Sequence, residues 1–196
     1  MRELRIPDAY EISTDVFPDD RGLFVNPFRG DVLAEAIGHP LQIAQTNHSA
    51  SQRGVVRGVH FALLPPGQAK YVYVPRGAAL DIVVDIRVGS PTYGEHQVVQ
   101  LDDRDFRAVY VAEGLGHCMV ALEDDTVLSY LCSTGYDPGR EKGITPVDPA
   151  LGLPIPEDIS PLLSARDTAA PTLAEAAEQG LLPTYEECKA FYASLR

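Results

Sequence analysis

From Val55 to Tyr130 the chain reads as a succession of short apolar or alternating segments broken by turn residues. Gly54–Arg57, Lys70–Val74, Ala79–Arg87, Gln97–Leu101, Arg107–Val111, His117–Leu122 and Val127–Leu131 are each rich in β-branched residues or alternate with a period of two. Pro75-Arg76-Gly77, Gly89-Ser90-Pro91-Thr92, Asp102-Asp103, Glu113-Gly114 and Glu123-Asp124-Asp125 separate them as turns. Parallel strands need crossover connections, usually helical, and the intervals here leave no room for them. The pattern therefore predicts a mainly β fold, an antiparallel barrel or sandwich.

The flanking segments add detail to that core. Pro18-Asp19-Asp20-Arg21-Gly22 reads as a turn leading into Leu23-Phe24-Val25, and Asp31 to Gly38 as a short helix with Asp31 as N-cap and Gly38 as stop. Leu41 to Ser49 is strand-like and ends in a polar cluster, whereas Tyr136 to Asp158 is rich in Pro, Gly and charge and reads as an irregular cover, spanning about residues 136–160. In the tail, Thr172-x-x-Glu175 and Thr184-x-x-Glu187 are capping boxes, each opening a short helical run. The expected organisation is one β domain over residues 1–170 and a two-helix extension over 171–196.

Composition narrows the functional classes. A chain of 196 residues that is 45% hydrophobic can fill the core of one domain, and its net charge of −12 argues against a nucleic-acid surface. No apolar run approaches the length of a membrane span, and the 3 cysteines lack Cys-x-x-Cys spacing, so reduced thiols and a cytoplasmic setting are expected.

Candidate chemistry concentrates between Val55 and Lys70, where Arg57, His60, Gln68 and Lys70 fall on strand-like sequence and could form a small anionic-ligand site with a titratable base. A metal-binding β-barrel of this kind needs three or four N/O ligands, and His60 is followed by Phe61 and Ala62 rather than a second histidine, so no metal is expected. His60, His117, Lys70, Tyr130, Asp85 and Asp167 with several arginines suit proton abstraction beside a carbonyl, with Lys or His holding the enolate oxygen and Tyr returning a proton. Any one of these taken singly, such as a lone His or Tyr in a strand, is more often a satisfied core residue than a catalytic one.

Val56-Arg57-Gly58-Val59-His60-Phe61, Asp81-x-x-Val84-Asp85-Ile86-Arg87-x-Gly89-Ser90-Pro91-Thr92-Tyr93-Gly94, Tyr136-x-Pro138-x-x-Glu141, Asp148-Pro149-x-Leu151-Gly152 and Leu163-Ser164-x-x-Asp167 follow one another in order. In these motifs the chain resembles the dTDP-4-dehydrorhamnose 3,5-epimerase family, from about Pro7 to Asp167. The resemblance implies a cupin-type jelly roll, a homodimer, no cofactor, and a dTDP-linked 4-keto-6-deoxy sugar as substrate. By position it makes His60 the base, Asp167 its dyad partner, Tyr130 the acid on the opposite face, and Lys70 with His117 the enolate stabilisers, with Asp85 holding Lys70. Arg21, Asn26, Gln45, Asn47, Arg57, Tyr136 and Glu141 fall on nucleotide or sugar contact positions, and Phe24 is a candidate for stacking on thymine.

Asn26 stands where the family commonly has Glu, Val147 where it has Trp, and Leu115 to Cys118 depart from its Phe-Ala-His-Gly run. These departures and the two-helix tail resemble the branch serving antibiotic deoxysugar pathways, and they favour a single inversion at C3, toward the 6-deoxyallose series. Alternatives are the full 3,5-epimerase, a 5-epimerase, a 3,4-ketoisomerase, a metal-dependent cupin oxygenase and a non-catalytic sugar-nucleotide binding module.

Overall fold

The computed structural model describes residues 1–196 and contains 13 strands and four helices. Six strands form one sheet, in the order β1 (Arg2–Glu3), β2 (Ala9–Ile12), β10 (Ala108–Val111), β7 (Lys70–Arg76), β12 (Thr126–Cys132) and β5 (Gln45–Ser51). Five form the second, in the order β13 (Glu141–Gly143), β6 (Val56–Ala62), β11 (Gly116–Ala121), β8 (Ala78–Val84) and β9 (His96–Asp102). All ladders are antiparallel, as the short turns require. A separate hairpin, β3 (Val16–Asp19) with β4 (Gly22–Val25), stands apart as a two-stranded sheet. The two large sheets are open, so of the two expected architectures the molecule adopts the cupin-type sandwich and not a closed barrel.

Alternation along β8 and β11 explains the layering. Ala79, Val83, Met119 and Ala121 join the larger core cluster with residues of β2, β7 and β10, while Ile82, Val84, Cys118 and Val120 pack with Ile144, Leu151 and Ile159 of the covering segment. Both faces of these strands are thus buried. One face lies toward the opposite sheet and the other beneath the irregular segment that follows Tyr136, whose only strand is β13.

One irregularity re-aims β6. His117 pairs with His60 and Met119 with Arg57, so two residues, Gly58 and Val59, stand opposite the single residue Cys118. In a regular strand, side chains three apart point to opposite faces; the extra residue brings Arg57 and His60 to the same one. Gly58 is required there, because its φ is +138° and a Cβ would lie 2.6 Å from the Cα of Cys118.

The helices follow their capping signals with one exception and one addition. Helix α1 spans Gly30–Ile37 and stops at Gly38 in the left-handed conformation, but its N-cap is Arg29; Asp31 lies in the first turn and pairs with Arg29 instead of capping. Helix α2, Ala165–Thr168, is a single turn that the apolar pattern is too short to reveal, capped by the Ser164 side chain accepting from the Asp167 amide. Helices α3 (Leu173–Glu178) and α4 (Tyr185–Ser194) both carry complete capping boxes. The expected strand from Leu41 begins only at Gln45. No helix is long and apolar enough to cross a membrane.

Arg87, fully buried, ties these parts together. Its guanidinium donates to both oxygens of Asp85 at 2.9 Å, to Asp8 at 2.7 Å and to the Pro7 carbonyl at 3.1 Å, and lies 4.9 Å from the centre of the Tyr185 ring. Although burial alone would push the Asp85 carboxyl up, the bonds from Arg87, Ser90 and Thr92 hold it below the ordinary carboxylate range. Replacing Arg87 by Ala leaves Asp85 as an uncompensated buried charge, and the expected loss is about 3–5 kcal/mol in urea unfolding.

Candidate active site

Between the sheets lies a cavity of about 270 Å³. Lys70 and Tyr130 reach it from β7 and β12 of one sheet, Arg57, His60 and His117 from β6 and β11 of the other, and Asp167 from α2. The bulge at Gly58 allows Arg57 and His60 to serve the same space.

Two histidines that line this cavity are each paired with a carboxylate. His60 Nε2 lies 2.6 Å from Asp167 Oδ1, and His117 Nε2 lies 2.6 Å from Asp81 Oδ2. An ionised carboxylate only accepts, so each pair fixes the proton on Nε2 and leaves Nδ1 as the free nitrogen of the neutral ring. Burial would push the Asp167 carboxyl up, but hydrogen bonding and charge from His60, then the Ser164 contact, keep it below its ordinary value. Asp167 therefore stays ionised at neutral pH and can stabilise an imidazolium at His60.

Tyr130 has the complementary character. Its phenol is pushed up, first by burial and then by the neighbouring Cys132 thiol, with Arg57 opposing, so it remains protonated in the neutral range. Lys70, only 8% exposed, presents a cation to the same space, and Arg57 is steadied by a 3.1 Å bond from its Nε to the Ser51 hydroxyl. A base backed by a carboxylate, with a neutral phenol and a lysine entering the same cavity from the facing sheet, can remove a proton, hold an enolate and deliver a proton elsewhere.

The remaining sequence-named residues divide into three groups. Gln45 and Asn47, on β5, bond to each other at 2.7 Å, and the Gln45 side-chain oxygen accepts the backbone amide of Tyr136, whose ring is 59% exposed. Glu141 borders a neighbouring cavity of about 240 Å³ that shares Arg166 with the catalytic one. Arg21, Phe24 and Asn26 are not at the catalytic cavity of their own chain: Arg21 is paired with Asp19, and Phe24 and Asn26 border a different cavity of about 430 Å³ beside α1 and Tyr71.

Asp85 requires a correction. Its oxygens are taken by Arg87, Ser90 and Thr92, the last two at 2.6 Å, and it does not hold Lys70. The carboxylate of that motif that faces the cavity residues is Asp81, bonded to His117; the sequence reading quoted it in the motif but gave it no role. Its signal was available, since an acid inside the apolar run of β8, two residues from the inward-facing Ala79 and Val83, must find a partner. Arg166 and Ser49 also border the cavity; neither carries a sequence pattern that distinguishes it from a surface residue.

Residues 3–175 match the family described as dTDP-4-dehydrorhamnose 3,5-epimerase. The chain is 52% identical over 195 residues to the dTDP-4-dehydrorhamnose 3,5-epimerase of Streptomyces griseus, covering 100% of this chain and 97% of that protein. It is 48% identical over 186 residues to a dTDP-4-dehydro-6-deoxyglucose 3-epimerase of Streptomyces bikiniensis, covering 95% of each. Its fold is similar to that of ChmJ, a 3'-monoepimerase from Streptomyces bikiniensis solved with dTDP-quinovose, at a TM-score of 0.98 and 46% identity over 100% of this chain and 99% of that one. The H60N/Y130F double mutant of ChmJ, solved with dTDP, gives the same TM-score of 0.98 at 45% identity over 100% of this chain and 98% of that one.

These likenesses, over the whole chain and on a matching sandwich, define an isomerase acting on carbohydrate derivatives. The chain belongs to the dTDP-4-dehydrorhamnose 3,5-epimerase family and is an epimerase of dTDP-4-keto-6-deoxy sugars.

The environment of Tyr130 sets a measurable expectation. In a ¹³C-tyrosine NMR titration, the resonance that disappears in Tyr130→Phe is expected to ionise at higher pH than an ordinary tyrosine, which is about half ionised at pH 10.

Proposed function

We propose that this chain inverts C3 of dTDP-4-keto-6-deoxyglucose, toward the 6-deoxyallose series, without a cofactor. His60, oriented by Asp167, removes the C3 proton through the free Nδ1 of its neutral ring and becomes an imidazolium beside the carboxylate; Lys70 and His117 stabilise the enolate oxygen at C4; Tyr130 returns a proton on the opposite face. The observation that carries this reading is that His60 and Tyr130 enter one cavity from facing sheets, so a planar enolate held between them has its base on one side and its acid on the other. Support also comes from ChmJ, whose double mutant replaces a histidine and a tyrosine of the same type and number.

The choice of C3 rests on the likeness to ChmJ and the 48%-identical 3-epimerase, and on Asn26, an uncharged residue where the family commonly places a carboxylate. The 52%-identical Streptomyces griseus relative carries the 3,5-epimerase name, which keeps the double inversion as the second reading.

The substrate contacts expected of Arg21, Phe24 and Asn26 call for a homodimer. Their hairpin forms a sheet of its own and exposes Phe17, Leu23 and Phe24, the last at 65%, a surface suited to a second copy. In the proposed dimer each hairpin serves the partner's cavity, while Gln45, Asn47, Arg57, Tyr136 and Glu141 of the same chain frame the nucleotide.

In heavy water with dTDP-4-keto-6-deoxyglucose, proton NMR is expected to show deuterium at C3 alone; deuterium at C3 and C5 would establish the double epimerase. His60→Asn should bind dTDP and exchange nothing, whereas Tyr130→Phe should retain exchange while losing most net inversion; equal loss of both would remove Tyr130 from the acid's role. Dimer architecture has its own test. Mixing inactive His60→Asn chains with Arg21→Ala/Phe24→Ala chains should restore about a quarter of the wild-type rate, because half the dimers are mixed and each then holds one intact site. No recovery after exchange of subunits would show that the hairpin does not serve the partner.

A further inference from the structure

Outside the catalytic cavity, the turn between β10 and β11 carries Glu113 into the interior, 4% exposed. One carboxylate oxygen accepts the Ser133 hydroxyl at 3.1 Å; the other, Oε2, is buried without a partner. Burial pushes this carboxyl up, and such a half-satisfied acid is an expensive residue to keep in a core.

Its surroundings show what it is joined to. The Ser133 hydroxyl, oriented by donating to Glu113, accepts the Ala69 amide at 2.8 Å, and the Ser133 amide donates to the Ala69 carbonyl at 3.0 Å. One residue further along, Lys70 and Cys132 face each other in register at the catalytic end of β7 and β12. The same seam continues outward, where Gln68 Nε2 donates to the Thr134 carbonyl at 2.9 Å and the Thr134 hydroxyl to the Gly67 carbonyl at 3.0 Å. Gly67 rests on Glu113 so closely that a Cβ there would lie 2.8 Å from the Glu113 Cβ. From the other side the Tyr192 hydroxyl of α4 donates to the Glu113 carbonyl.

Asp85 is committed to Arg87, so the position of Lys70 is set by its strand end. We infer that Glu113 is a positioning residue for the epimerisation, fixing Lys70 in the catalytic cavity through Ser133 and Ala69, with α4 holding the Glu113 turn in place. The inference rests on the role of Lys70 in the function proposed above.

The test compares Glu113→Ala, Glu113→Gln, Ser133→Ala and Lys70→Met, and the double variant Glu113→Ala/Lys70→Met, by the rate of C3 proton exchange on dTDP-4-keto-6-deoxyglucose. Misplacing a catalytic group by about 1 Å can cost about 100-fold, so Glu113→Ala is expected to lower kcat by about 10- to 100-fold while KM changes by less than about threefold. Glu113→Gln, whose amide oxygen still accepts the Ser133 hydroxyl, should retain kcat within about threefold. Adding Glu113→Ala to Lys70→Met should cause no further loss, since both act through one group. Ser133→Ala breaks the same relay without emptying the interior and decides the matter if Glu113→Ala does not fold. Full kcat in both folded Glu113→Ala and Ser133→Ala, or a double variant losing the product of the two single losses, would overturn the inference. Full kcat in Lys70→Met would instead remove the assigned role of Lys70 and this inference with it, an outcome distinct from the others.

Discussion

The irregular pairing of β6 with β11 is the constraint on which the site depends. Arg57 and His60 are three residues apart, a spacing that separates side chains across a regular strand; one extra residue opposite Cys118 brings them to the same side. That arrangement requires a glycine, since the backbone of Cys118 occupies the space a side chain at Gly58 would need. A local steric exclusion thus decides whether the cavity holds both an arginine and a base. The facing sheet needs no such device, because Lys70 and Tyr130 come from adjacent, regularly paired stretches of β7 and β12.

Electrostatics in the cavity follow from the same economy of charge. A chain with net charge −12 nevertheless gathers basic side chains locally, with Arg57, Lys70 and Arg166 around a single space. Its buried acids there are each matched to a histidine, and both pairs use Nε2, so the two imidazoles present the same nitrogen. Their burial differs: His60 keeps 28% of its side chain exposed and His117 only 9%. This difference suits a proton-transferring role for His60 and a fixed hydrogen-bonding role for His117.

Much of the fold was legible because alternation reports burial directly. The seven core segments read from Val55 onward correspond to β6 through β12, and the two capping boxes in the tail each open a helix. The misreadings of Asp31 and Asp85 turn on which of several nearby partners a carboxylate takes, a choice that spacing alone does not report. Asp31 has the chemistry of a cap, yet Arg29 two residues away engages its carboxylate. Asp85 lies in a motif of the family and was assigned to Lys70, but the fold delivers Arg87, Ser90 and Thr92 to it instead. Helix α2 is four residues long, too short for a periodic signal, although the Ser164-x-x-Asp167 spacing that caps it was visible. At the site, His60, Asp167, Lys70, Tyr130, Arg57 and His117 were named and meet at one cavity. Asp81 stood in the motif without a role, although an acid in an apolar strand must find a buried partner, here His117.

The guanidinium of Arg87 joins three regions far apart along the chain: Pro7 and Asp8 near the beginning, Asp85 after the central strand β8, and the ring of Tyr185 in the last helix. The two ends of the polypeptide are therefore closed around one cation. Releasing either Asp8 or Tyr185 withdraws counter-charge or packing from the group that holds the other. A protease trimming the last helix would act on the first strands as well, and the molecule should lose both ends in a single cooperative step.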